Sequence, residues 1–291
     1  MCWCAHWSRR RRVECAVARR ARIDVELVRR GLARSRQQAA ELIDAGEVKI
    51  NGMPVVKAAT AVNATATLSV AGDGERSWVS RGAHKLIGAL DAFGISVDGL
   101  RCLDAGASTG GFSEVLLDRG AREVVAADVG YGQLAWSLRS DPRVTVVERT
   151  NVRDLSPAAI GGQVDIVVAD LSFISLTTVL PALIRCASPS ADIVPMVKPQ
   201  FEVGRRQVGS GGVVRDPALR AQSVLAVARR AEELDWHTVG VTASPLPGPA
   251  GNVEYFLWLR SQTDRGLADD QLMQAVQAAV AGQLGAERNG R

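Results

Sequence analysis

Residues 101–112 read Arg101-Cys102-Leu103-Asp104-Ala105-Gly106-Ala107-Ser108-Thr109-Gly110-Gly111-Phe112, and this stretch decides the fold. A short apolar strand, Arg101–Leu103, runs into Asp104; small residues follow, and Gly110-Gly111 opens a helix. Glycines at a strand-to-helix turn let a ligand approach the backbone closely, and the helix N-terminus presents unpaired N–H groups. The next strand, Glu123–Ala127, ends in Asp128, 24 residues after Asp104. A doubly wound sheet presents an acid at that place to a pair of ribose hydroxyls.

The spacing D-x-G-x-S-x-G-G is not the dinucleotide pattern G-x-G-x-x-G. With an acid at the end of the first strand it fits an S-adenosyl-L-methionine site better. The candidate cofactor residues are Asp104, Gly106, Ser108, Thr109, Gly110, Gly111 and Asp128, with Asp154 further on.

The same alternation continues downstream. Strand Val144–Glu148, strand Val164–Ala169 ending in Asp170, helix Leu176–Cys186 and strand Asp192–Val197 ending in Lys198-Pro199 follow in order. Helix Ala218–Leu234 precedes the last strands, His237–Ser244 and Val253–Leu259. Upstream, a helix from Arg81 to Phe93 carries Lys85 near its start. Strands alternating with helices predict a largely parallel sheet with its ligands at the carboxyl edge. The Gly-rich, basic segment 201–217 has no period and suits a lid, and residues 264–284 read as a terminal helix before a disordered tail.

Residues 22–70 read as a separate small unit. Asp24 is expected to cap a helix reaching Gly31, with Leu27 and Val28 inward. Ser35 and Gln38 form a capping box for a helix Arg36–Ala45 that stops at Gly46. Val48–Val55 reads as a hairpin about Asn51-Gly52. Arg22, Arg29, Arg30, Arg34, Arg36 and Lys49 lie along the helix ends and strand as candidate contacts to a polyanion; taken alone, such charges are more often an ordinary solvated face. Residues 71–80 form a linker, with a flexible AGDGE joint followed by Arg76 and Trp78, the latter expected to pack on a neighbouring domain.

The formal charge of +4 is unevenly spread: 13 Lys and Arg against 8 Asp and Glu in residues 1–75, and 22 against 23 in the rest. A basic front unit on a near-neutral large one points to a polyanionic partner. The longest apolar region, 164–184, is broken by Asp165 and Asp170, so no membrane span is indicated. Residues 1–17, beginning MCWCAHWSRRRR, show no period and no signal-peptide core; translation is expected to start at Val17, read as an initiator. Five cysteines at 2, 4, 15, 102 and 186 match neither a zinc site nor a disulfide framework, which suits the reducing cytoplasm. His6, His84 and His237 are too dispersed for a metal site.

Four polar residues meet apolar strand ends or the first helix of the large domain: Lys85, Asp170, Lys198 and Glu254. A lysine directly after an apolar strand is costly unless its charge is paired. Each one singly is compatible with a structural ion pair; together, at the edge bearing Asp104 and Asp128, they outline a site.

In their order the four resemble the Lys-Asp-Lys-Glu tetrad of FtsJ-like 2′-O-ribose methyltransferases. The segment RIDVELVRRGLARSRQQAAELIDAGEVKINGMPV, residues 22–55, resembles the small RNA-binding domain named after ribosomal small-subunit protein four. With GASTGGF, DLSFISL, VKPQFEVG and GNVEYF, residues 18–262 resemble the TlyA family. That resemblance implies a Rossmann-like class I S-adenosylmethionine-dependent methyltransferase domain over 81–262, an α/β fold with a mostly parallel doubly wound sheet. It also implies a small N-terminal α+β RNA-binding domain over 18–70 and 2′-O-methylation of cytidine in both ribosomal RNAs; the C-terminal helix and tail, 263–291, lie outside it. Ribosomal RNA or ribosomal subunits are then the partner, and no metal is required. Desolvated Lys198 would serve as base, Asp170 and Glu254 would orient it and the hydroxyl, and Lys85 would hold a phosphate or complete the charge network. The loop Asp170-Leu171-Ser172-Phe173 lacks the Asn/Asp-Pro-Pro-aromatic pattern suited to base amines. Two other classes compete: a membrane-active haemolysin, which needs an apolar span or export signal, and a non-catalytic RNA-binding assembly factor, which the intact tetrad disfavours.

Overall fold

The structure is a computed structural model that describes residues 21–50, 53–63, 66, 68–70, 78–204, 207–261, 263 and 266–289. The expected leader, the Asn51-Gly52 turn, the AGDGE joint and Arg76 lie outside the described residues. Two units separate by their internal contacts, one ending at Ser77 and the other starting at Trp78.

In the front unit, helices α1 (Ile23–Arg29) and α2 (Arg36–Asp44) pack on strands β1 (Ala21–Arg22), β2 (Val48–Ile50), β3 (Met53–Pro54), β4 (Ala61–Val62) and β5 (Leu68–Val70). β3-β2-β5 form one antiparallel sheet and β1-β4 a second ribbon. Ile23, Leu27, Ala39, Ile43, Val48 and Val62 make the core. Ser35 caps α2 by accepting the Gln38 N–H (3.1 Å), but the Gln38 side chain turns to the Arg34 N–H instead of closing the box. Asp24 does not cap α1, whose N-cap is Arg22. It is buried inside the first turn, where Arg22 and Arg36, each 3.0 Å away, neutralise it. Those guanidinium groups hold its carboxyl down at about 2.

The large unit is a seven-stranded sheet in the order β11-β12-β10-β9-β6-β7-β8. Its strands are β6 (Arg101–Ala105), β7 (Glu123–Ala127), β8 (Val144–Val147), β9 (Val164–Ala169), β10 (Ala187–Val197), β11 (His237–Ala243) and β12 (Tyr255–Arg260). β6 to β10 run parallel, and β12 is antiparallel to both of its neighbours. Alternate side chains of β6, β7 and β9 feed two cores: Leu103, Val125 and Val167 lie in one, Cys102, Val124 and Ile166 in the other. That period-2 split places one core on each face, and explains why these strands read as continuous apolar runs.

Helices α3 (Gly82–Phe93), α4 (Gly111–Asp118) and α5 (Trp136–Arg139) contribute to the second core; α6 (Pro157–Ile160), α7 (Leu176–Cys186), α9 (Pro217–Glu232) and α10 (Asp269–Asn289) contribute to the first. Trp78 and Val79 pack on the second core, and the Val79 N–H donates to Glu114 on α4 (2.6 Å).

Two expectations are corrected. The terminal helix starts five residues later than its pattern suggests, because Leu267 lies outside it and donates its N–H to the Thr238 carbonyl of β11 (2.8 Å). Its helix continues to Asn289. The segment 201–217 is not periodless throughout: Pro199–Glu202 forms the one-turn helix α8, and buried Val214 is pinned from both sides. Asn252 accepts the Val214 N–H (3.0 Å) and donates to the Gly212 carbonyl (2.8 Å), while the Arg220 side chain donates to the Val214 carbonyl (2.9 Å).

Candidate active site

The chain leaves β6 toward β7 on one side and β9 on the other, so the sheet's crevice opens between β6 and β9 at their carboxyl ends. The turn after β6 is tight. Gly106 adopts φ +89, and a Cβ there would stand 2.4 Å from the Asp170 carbonyl oxygen. Gly110, at φ +99, caps α4, and a Cβ would strike Leu138. These two glycines let the turn close on the β9 end and on α5.

Asp128, at the end of β7, accepts the Ser108 N–H on one oxygen (2.8 Å) and the Gly130 N–H on the other (2.6 Å). Its carboxylate is thereby aimed across a small cleft lined also by Ala107, Gln133, Leu134 and Glu148. Thr109 is exposed beside Ser108 and takes the Ala135 N–H on its carbonyl (3.1 Å). Asp154 stands exposed on a 3₁₀ turn, Val152–Asp154; no hydrogen bond or ion pair ties its side chain to this group among the described residues.

Asp104 lies within β6 rather than after it and has no solvent exposure. Ser113 donates to one of its oxygens (2.7 Å), and the other oxygen has no partner among the described residues. Burial pushes this carboxyl up to about 7, the negative charges of Asp170 and Asp128 adding to the rise and Ser113 opposing it.

An acid whose folded value exceeds its usual 3.8 gives its full contribution to stability below that pH and loses it as the pH rises through about 7. The loss amounts to roughly 4 kcal/mol at 1.36 kcal/mol per unit. Asp104→Asn keeps the Ser113 contact and cannot ionise. Denaturant unfolding of both proteins from pH 4 to 8 should show the variant's relative stability rising with pH and levelling above about 7. A pH-independent difference would contradict the buried, pressed carboxyl.

The tetrad residues assemble as two ion pairs at this edge. Lys85, on the second turn of α3, reaches Glu254 at 2.5 Å, with both side chains buried. Lys198 meets Asp170 at 2.5 Å and donates to Ser172 (3.2 Å). Register explains the grouping: Val197 pairs with Tyr255 across the antiparallel β10–β12 ladder, so Lys198 and Glu254 emerge side by side. Ser172 and Asn252 have no local sequence signal; a hydroxyl two residues after a strand-end acid, and an amide two before Glu254, become meaningful only once the loops are folded.

In the front unit the basic rim is partly self-neutralised. Arg22 and Arg36 bind Asp24, and Arg29 and Arg30 bind buried Glu26 at 2.6 and 2.7 Å. Arg34 is hydrogen-bonded to Gln38 (3.1 Å) and Lys49 is exposed; neither has an ion-pair partner among the described residues. The pairing of four arginines arises from two acids that a charge count by segment cannot place.

Comparison with known proteins agrees with this arrangement. The FtsJ-like methyltransferase family matches residues 78–261, and the S4 domain matches residues 21–68. The chain is 75% identical over 264 residues to the 16S/23S rRNA (cytidine-2′-O)-methyltransferase TlyA of Mycobacterium tuberculosis, covering 91% of this chain and 98% of that one. It is 40% identical over 267 residues to YqxC of Bacillus subtilis, covering 90% and 95%. A solved structure of a hemolysin-named protein from Streptococcus thermophilus superposes with a TM-score of 0.73 at 35% identity, covering 94% of this chain and 99% of that one. With strands, glycine turn and charged edge in place, and relatives aligned over nearly its whole length, the chain belongs to the FtsJ-like methyltransferases, in the TlyA family that carries an S4 domain in front.

Proposed function

We propose that this methyltransferase transfers a methyl group from S-adenosyl-L-methionine to the ribose 2′-hydroxyl of cytidines in the RNA of both ribosomal subunits, in the cytoplasm. The observation that carries the reading is the double ion pair, Lys85–Glu254 and Lys198–Asp170, at the sheet edge. The TlyA protein of Mycobacterium tuberculosis, named for this reaction, supports the choice of substrate.

The donor set fits the cofactor. Asp128, braced by two backbone N–H groups, suits a ribose diol, and the buried oxygen of Asp104 lacks a donor. Gly106, Ser108, Thr109, Gly110 and Gly111 shape the turn, and exposed Asp154 stands further out. When bound, S-adenosyl-L-methionine supplies an electrophilic methyl on a sulfonium whose sulfur keeps the bonding electron pair.

The protein's own task is the proton. A ribose hydroxyl is a weak nucleophile, and its oxygen forms the new bond to carbon as its proton leaves. Lys198 Nζ takes that proton after the ammonium of the ion pair has first released one to solvent, so that the amine has a lone pair when the hydroxyl attacks. Asp170, in contact, stabilises the resulting ammonium, and Ser172 fixes the amine's direction. Glu254 and Lys85 form a rigid, internally neutral wall against which the nucleotide is oriented.

Asp128→Ala removes the acceptor for the ribose diol, at about 1.5–3 kcal/mol per hydrogen bond to a charged group. Calorimetry should show cofactor affinity falling at least about tenfold; an unchanged affinity would place the ribose elsewhere. The front unit is the proposed RNA anchor, with Arg34 and Lys49, which have no ion-pair partner among the described residues, and the exposed Arg22, Arg29 and Arg36 as its contacts, while Arg30 is turned inward to Glu26 and the Ala66 carbonyl. Mapping ribose methylation in ribosomal RNA from cells with and without the gene tests the function: cytidine 2′-O-methyl marks should disappear with it. No helix among the described residues is long and apolar enough to cross a membrane.

A further inference from the structure

The loops bearing Asp170 and Lys198 are tied together by a residue that takes no part in the chemistry above. Glu202 ends α8, the one-turn helix that starts directly after Lys198. One of its carboxylate oxygens accepts the Ser175 hydroxyl (2.6 Å) and the other accepts the Leu176 backbone N–H (2.8 Å). Ser175 is the N-cap of α7 and also accepts the Thr177 N–H (3.2 Å). Glu202 therefore sits on the positive end of an eleven-residue helix from a different loop, satisfying donors that α7 cannot satisfy itself.

Between Asp170 and Ser175 the chain is under strain. Phe173 has φ +65, a left-handed conformation costly for a bulky side chain, and its ring is 91% exposed. Such a conformation persists only where its surroundings over-determine it. Three contacts do so here: Lys198 to Asp170 and Ser172, the Phe201 ring against Phe173 at 5.3 Å, and Glu202 on the α7 N-terminus. The first is the catalytic pair itself, and the second leaves one aromatic face open. Glu202 is the tie that anchors the far end of the loop to a rigid element.

We propose that Glu202 is a positioning residue for methyl transfer, holding the Asp170–Ser175 loop in register with Lys198 so that the carboxylate meets the amine in one geometry. Burial pushes the Glu202 carboxyl above its ordinary value, with Ser175 and the α7 N–H groups pulling it down. Its acceptor role does not depend on charge: a glutamine amide oxygen can take the Leu176 N–H while its NH₂ faces the Ser175 oxygen. This role rests on the function proposed above.

The test is steady-state methylation of ribosomal subunits by the full chain, with cofactor affinity measured on the same preparations. Misplacing a reacting group by about 1 Å costs on the order of 100-fold, so Glu202→Ala should lower kcat by roughly that factor. Its cofactor affinity should stay within about threefold of wild type, since the Asp128 cleft lies at a different loop; Glu202→Gln should recover most of the loss. Full kcat in Glu202→Ala overturns the role, as does a Glu202→Gln variant equally impaired, or a kcat loss matched by lost cofactor binding. Should Glu202→Ala not fold, Ser175→Ala decides: lowered kcat with cofactor affinity kept supports the role, and full kcat overturns it. Absence of transfer by the wild-type protein would instead sink the function itself, so the two failures are separable.

Discussion

Lys198→Ala should abolish methyl transfer while leaving S-adenosylmethionine binding nearly intact. A positioned general base contributes about 10²–10⁴-fold, and of the two amines at the sheet edge Lys198 is the one whose carboxylate partner, Asp170, is partly exposed and stabilises the charge the amine acquires. The cofactor residues lie on other elements: the turn after β6 and the end of β7. Folding should survive, because the Asp170 side chain, a quarter exposed, regains water when its partner is removed. Lys198→Arg should fail as well, since a guanidinium does not give up its proton near neutrality. Turnover within tenfold of wild type, on a preparation that binds cofactor normally, would remove Lys198 as the base.

Lys85→Ala should behave differently, as a large loss of stability. Glu254 is 1% exposed and would be left as an uncompensated buried charge, a situation that costs about 3–5 kcal/mol. For a unit of this size that corresponds to a fall in Tm of roughly 6–20 °C. Replacing both partners, Lys85→Met with Glu254→Gln, removes the stranded charge, so most of the stability should return. Calorimetric scans of the three proteins separate the roles. A single variant as stable as wild type would mean that water or another donor already satisfies Glu254.

The contrast between the two pairs also shows what a linear sequence can carry. Asp128, Asp170, Lys198 and Glu254 were legible because each follows or precedes an apolar run, and a polar residue at a strand end is a local pattern tied to where the sheet stops. Lys85 was legible only in company, because its partner lies 169 residues away. Asp24 misled for the same reason. Beside a helix start it resembles a cap, and Arg36, from the next helix, makes it a buried ion-pair centre. The root of the 201–217 segment was hidden because Val214 is held by Asn252, 38 residues on. The apolar run of β6 stops at Leu103, but pairing with both β7 and β9 extends the ladder two residues further and buries Asp104 within the strand. Local periodicity reports which face of an element is apolar, while partners chosen by topology decide what a polar residue at its end is for.

The most direct measurement is nucleoside analysis of ribosomal subunits incubated with purified protein and S-adenosylmethionine labelled in its methyl group. Wild-type protein should place the label in 2′-O-methylcytidine, with Lys198→Ala placing none. Label in base-methylated nucleosides or in ribosomal protein, or undiminished 2′-O-methylcytidine from Lys198→Ala, would contradict ribose methylation driven by the Lys198–Asp170 pair.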